Sequence, residues 1–213
     1  MSAASRAPQR SNRADHSSHR VRRRAVLAAG AAAAALLVSA CGSGGTSGGG
    51  GNTNFVAGTD GISTVPAGKR VAAPELSGKT LEGEQLDVAD HKGKVVVLNI
   101  WGSWCNPCRA EAKYFAKVSK EYADQDVQFV GINTRDGSTT AALAFEKDFG
   151  IPYPSLYDPT GKLMLRFEKG TLNPQAVPST LVLDRDGRIA ARSLTALDEE
   201  RLREMLEPVV AEK

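Results

Sequence analysis

The 213-residue sequence predicts an α/β fold: a mixed central sheet flanked by helices on both faces. Two observations predict it. Lys94–Trp101 (KVVVLNIW) and Val127–Asn133 (VQFVGIN) are β-branched apolar runs, each followed by a helical pattern. Further along, TLVLD and RIAAR are joined by the turn Arg185-Asp186-Gly187, which reads as a β-hairpin, and an amphipathic helix closes the chain.

The first forty residues have another character. They hold seven Arg against one acid, ending in Arg22-Arg23-Arg24, and then an uncharged Ala-rich run from Ala25 to Ala40. A basic stretch before a short apolar one reads as a secretory signal. Sixteen residues fall short of the roughly 20 needed for a membrane span, so an uncleaved anchor helix is the weaker reading. Arg23-Arg24-Ala25-Val26-Leu27 also resembles a twin-arginine export signal, with Val where Phe is favoured. Removing this segment leaves 20 basic and 23 acidic residues from the full 27 and 24. The basic character belongs to the leader, which argues against nucleic-acid binding by the rest.

Leu37-Val38-Ser39-Ala40-Cys41 resembles the lipobox of bacterial lipoproteins, in which the Cys becomes the lipidated N-terminus. The alternative is an ordinary small-residue cleavage site that precedes a Cys. Gly42–Asn54 (GSGGTSGGGGNTN) behaves as a flexible coil with a reach of roughly 20 Å. The expected organisation is a signal peptide over 1–40, a lipidated Cys and tether over 41–54, and a folded domain over 55–213.

Within that domain, Phe55–Val71 reads as a loose hairpin, and 76–81 and 84–86 as short strands around turns. Helices are expected over Asn106–Ala123, over Thr139–Phe149 (closed by Gly150 and Pro152), briefly over Lys162–Phe167, and over Leu197–Val209. Ser155–Tyr157 is a candidate short strand.

Three Cys stand at 41, 105 and 108. Trp104-Cys105-Asn106-Pro107-Cys108 falls where a buried strand ends and a helix begins. A Cys there meets unpaired backbone N–H groups and the positive dipole end, which stabilise a thiolate. Pro107 suits the first turn, where no N–H is missed. Cys105 is therefore the expected attacking thiol and Cys108 the resolving one. Rival readings fit less well. A zinc site lacks further ligands, since no other Cys and only His91 remain in the domain. Haem attachment needs His after Cys108, where Arg109 stands. A purely structural disulfide of this spacing closes too small a ring to stabilise much. No metal and no cofactor are expected.

Residues from about Ala73 to Val209 resemble the extracytoplasmic thioredoxin-like proteins of the TlpA, ResA and cytochrome-c-biogenesis group. The motifs GKVVVLNIWGSWCNPCRAE, VGINTRD and AVPSTLVLDRDG carry the likeness. The resemblance implies a thioredoxin fold with an N-terminal hairpin extension and a central insertion, here Thr134–Pro159. It implies that Pro178 is cis beside the disulfide and that the Val177 backbone, with Trp104, Asn106 and Pro107, receives the substrate chain. It implies that Glu111 tunes the thiols, although periodicity alone makes Glu111 a solvent-exposed helix residue. Asn99 stands where ordinary thioredoxins carry a buried acid, a departure shared with ResA-like sequences. Lys113 stands where many relatives have a Pro.

The resemblance further implies a disulfide reductase acting on exported proteins, apocytochrome c among them, and recharged by a membrane thiol reductant such as a CcdA-like protein. Three alternatives remain: a secreted DsbE-like oxidase or exchange protein, a peroxiredoxin-like peroxidase, and a non-enzymatic lipid-anchored binding module. The peroxiredoxin signature is missing, with Gly102 three before Cys105.

Overall fold

A computed structural model describes residues 53–58 and 60–212. The signal segment, Cys41 and the tether up to residue 52 lie outside the described residues. β5 (Val95–Trp101) is central and buried at all seven positions. It pairs in parallel with β6 (Val127–Thr134) and antiparallel with β8 (Ser179–Leu183). β7 (Ser155–Asp158) adds in parallel to β6, and β9 (Ile189–Ser193) folds back on β8. The Phe55–Val71 stretch supplies two short strands, β1 (Val56–Ala57) and β2 (Ile62–Thr64), which extend the sheet beyond β9. The seven-stranded order is β1-β2-β9-β8-β5-β6-β7, and β3 (Ser77–Lys79) with β4 (Gln85–Asp87) forms a separate pair. The β8–β9 turn is built by the Asp184 carboxylate, which accepts from the backbone N–H groups of Asp186 and Arg188, with Gly187 at φ 75°.

Because side chains alternate along β5, the sheet has two apolar faces. Val95 and Val97 face Phe115 and Val118 of α1 (Asn106–Glu121), and Leu202, Met205 and Leu206 of α3 (Glu199–Val210). Trp101, on the same side, stacks on Phe145 of α2 (Thr139–Phe149) with ring centroids 4.5 Å apart. Val96, Leu98 and Ile100 face the other way, against Phe55, Leu76, Val88, Met164 and Phe167.

Helical segments therefore cover both faces, but unequally. The three α-helices share one face, and the opposite one is closed by 3₁₀ turns at Val88–His91 and Met164–Arg166 with the chain before β5. The expected Lys162–Phe167 helix shrinks to that single turn. It is started by Asp158, whose carboxylate accepts from the N–H groups of Lys162 and Leu163. Gly170 and Pro174 follow too closely for a longer helix to propagate.

α1 ends at Glu121 rather than Ala123, and runs unbroken past Lys113. α3 starts two residues later than expected, because Asp198 is its cap: Asp198 Oδ1 accepts from Arg201 N at 2.9 Å. Asp198→Ala is expected to lower the stability of the domain by about 1 kcal/mol, read from denaturant midpoints at unchanged slope.

Candidate active site

The link Gly102–Cys105 carries the chain from the buried end of β5 into α1, with Cys105 as the helix cap and Pro107 in the first turn. Cys105 and Cys108 form a disulfide of S–S 2.07 Å. The Cys105 Sγ accepts from the Cys108 backbone N–H at 3.2 Å, so an unpaired donor of the helix start points at this sulfur. On its other side, Sγ lies 3.6 Å from the Val177 carbonyl oxygen, and the Val177–Pro178 peptide is cis. The structure thus brings Cys105, Cys108, Val177 and Pro178 together, although Val177 lies 72 residues after Cys105: the antiparallel pairing of β5 with β8 sets the entry to β8 beside the end of β5.

Both cysteines are buried in this oxidised form, at 2% and 1% exposure, while their neighbours Trp104, Asn106 and Pro107 are exposed. The buried sulfurs are thus bordered by the exposed Trp104, Asn106 and Pro107, and by the half-buried Val177.

Glu111 is not the exposed helix residue that periodicity favours. It is 2% exposed, its Oε1 accepting from Asn99 Nδ2 at 3.0 Å and its Oε2 from Leu197 N at 2.9 Å. Burial pushes its carboxyl up to about 7, and the two donated hydrogen bonds offset part of that rise. Asn99 also lines a small cavity of about 10 Å³ with Cys108, Trp101 and Tyr153. Cys108 and Asn99, the donor to Glu111, thereby border one space of roughly a single water.

Two further polar groups were not legible as site residues. Asp136, directly after the loop residue Arg135, is buried. Its carboxylate accepts from Ser103 N at 2.9 Å, Ser103 Oγ at 2.5 Å and Asn133 Nδ2 at 2.6 Å, which fixes the link between β5 and α1. The VGINTRD motif contains Asp136 and Asn133, but no spacing ties them to Ser103. Glu146 of α2 accepts from Ser155 Oγ at 2.6 Å, and Ser155 Oγ accepts from Trp101 Nε1 at 3.2 Å. Burial pushes the Glu146 carboxyl up to about 7, against the hydrogen bond from Ser155. Among the described residues, no three His, Cys, Asp or Glu side chains are grouped to hold a metal ion.

A family model described as Redoxin matches residues 64–207. The chain is 37% identical over 118 residues to thioredoxin-like protein YneN of Bacillus subtilis, covering 55% of this chain and 66% of the relative. It is 28% identical over 137 residues to the thiol-disulfide oxidoreductase ResA of Bacillus cereus, covering 64% of this chain and 76% of the relative. Among solved structures, a secreted thiol-disulfide isomerase from Corynebacterium glutamicum superposes with a TM-score of 0.67 at 32% identity, covering 76% of this chain and 100% of that one. The family match takes in β3 to β9, α1, α2 and most of α3, so the chain belongs to the redoxin family and is a thiol-disulfide oxidoreductase of its thioredoxin-like TlpA and ResA group.

Proposed function

We propose that this oxidoreductase works outside the cytoplasm as a disulfide reductase, held at the outer face of the cell membrane by a lipid on Cys41. Its substrates are disulfides of exported proteins, the Cys-x-x-Cys pair of apocytochrome c among them. The Cys105 thiolate attacks one substrate sulfur, forming a mixed disulfide and releasing the other sulfur as a thiolate. Cys108 then loses its proton and attacks Cys105 Sγ, releasing the second substrate thiol and leaving the Cys105–Cys108 disulfide. Two electrons have passed to the substrate, and a membrane thiol reductant of the CcdA kind returns them. Trp104, Asn106 and Pro107 form the receiving collar, and the Val177 backbone before Pro178 aligns the substrate chain. Glu111, held by Asn99, takes up the Cys108 proton across the small cavity.

The observation that carries the reducing direction is the burial of Glu111 one helical turn beyond Cys108. A carboxylate there disfavours thiolate, the form whose stabilisation makes a dithiol protein oxidising. Support for the setting comes from the lipobox sequence and from the secreted corynebacterial relative. The described residues contain no helix long and apolar enough to cross a membrane, so a membrane location rests on Cys41. That same relative favours a second reading, a secreted exchange protein. Equilibrating the purified full chain against glutathione and dithiothreitol buffers separates the two: reduction predicts a potential near about −300 mV, and a value near about −120 mV reverses the direction.

A further inference from the structure

Arg135 stands in the left-handed region at φ 59°, where a long side chain persists only if its surroundings hold it. They do so from both sides. Arg135 N donates to Asp158 O at 3.3 Å, and the next residue, Asp136, is pinned through its carboxylate to Ser103 and Asn133 and through its carbonyl to the Tyr157 hydroxyl at 3.1 Å. The consequence is a guanidinium carried over the Trp104 ring, 4.7 Å from its centroid.

The indole beneath is equally constrained. Trp104 Nε1 donates to Thr134 O at 3.2 Å, and the ring lies so close to Gly102 that a Cβ there would sit 2.5 Å from Nε1 and 2.7 Å from Cε2. Trp104 remains 49% exposed, and Arg135 is exposed above it. Trp104 directly precedes Cys105 in the chain. Among the described residues Arg135 forms no ion pair, and the acid beside it is buried and occupied by its own donors. A second exposed cation borders the site: Arg109, after Cys108, lies over the Phe145 and Phe149 rings at 5.6 and 5.2 Å. The rim of the disulfide is therefore cationic and aromatic, on a domain whose overall balance is acidic.

We propose that Arg135 is a specificity-determining residue: its guanidinium pairs with an Asp or Glu side chain flanking the substrate cysteine, while the substrate chain packs on Trp104. A planar, always-charged fork held on an aromatic face loses little freedom in binding a carboxylate. Arg135 takes part in no bond change; it selects which polypeptide disulfide reaches Cys105. This rests on the reading that polypeptide disulfides are the substrates.

The test uses the reduced full chain and three otherwise identical peptides, each closed by one disulfide and flanked by Glu, Gln or Lys. At low salt the wild-type rate constant is expected to be about two- to fivefold higher for the Glu peptide than for the Lys peptide. The ratio should shrink in 0.5 M NaCl, where the Debye length is only a few ångströms. It should fall to near one in Arg135→Asn, Asn being a residue that tolerates the left-handed backbone, and survive in Arg135→Lys. The ratio within each variant cancels any general loss of activity. A wild-type ratio of one or below, or a ratio that Arg135→Asn leaves intact, overturns the proposal. Reduction of none of the three peptides overturns the exchange reading instead, and the proposal with it.

Discussion

Cys105→Ser is expected to abolish disulfide reduction, while Cys108→Ala stops the reaction half-way, with substrate covalently held on Cys105. The two outcomes differ because the sulfurs are not equivalent. Cys105 caps α1 and receives the Cys108 N–H, whereas Cys108 lies inside the first turn at 1% exposure, against Ala112, Phe145 and the small cavity. Only Cys105 borders the exposed collar and the Val177 carbonyl, so only it can meet a foreign sulfur first. Without Cys108 nothing nearby resolves the mixed disulfide, because the domain has no third Cys. A ring closed across so few residues constrains the unfolded chain little, so both variants should keep the fold, as circular dichroism would show. Insulin reduction measures the first effect, and mass spectrometry under non-reducing conditions measures the second and names the trapped substrate. Turnover surviving in Cys105→Ser would remove this sulfur from the mechanism.

The parts of this fold that the sequence made legible are those specified by neighbours along the chain. β5 announces itself as a run of apolar residues between Gly93 and Gly102, and the Cys-x-x-Cys pair takes its meaning from the strand before it and the helix after. α2 keeps its expected bounds because Gly150, at φ 63°, stops it as expected. Glu111 shows the other case. Its burial depends on Asn99, twelve residues earlier on β5, and on the Leu197 N–H, 86 residues later before α3. Only the family resemblance pointed to it, since no local pattern records such a convergence. Asp136 was missed for the same reason: its donors Ser103 and Asn133 come from the ends of two different strands. At Met164–Arg166 the chain makes only a short 3₁₀ turn where the sequence predicts a helix, because apolar spacing over six residues does not distinguish one turn from two.

Glu111→Gln should flatten the fall in stability that the oxidised wild type shows between about pH 4.5 and pH 8. In the unfolded chain this carboxyl ionises near 4.5, while burial in the fold holds its proton up to about 7. Below pH 4.5 both states are protonated and the group is neutral to stability. Between the two values the unfolded chain releases a proton that the native state keeps, so stability falls as pH rises, and the loss is complete above about 7. A rise of this size corresponds to a loss on the order of 3 kcal/mol from Glu111. Glu146 shifts in the same direction and adds a fall of the same sign, so the variant should retain a shallower slope rather than none. Gln fills the same space, and a turned Asn99 amide can accept from its NH₂ group while its carbonyl oxygen still faces the Leu197 N–H. Urea midpoints at pH 4.5 and 8 measure the difference, and parallel curves for variant and wild type would show that Glu111 does not carry the shift. A packing role alone would stop at stability. If Glu111 receives the Cys108 proton, the pH dependence of mixed-disulfide release must also lose its inflection near 7, because the resolving sulfur then has no buried carboxylate to protonate.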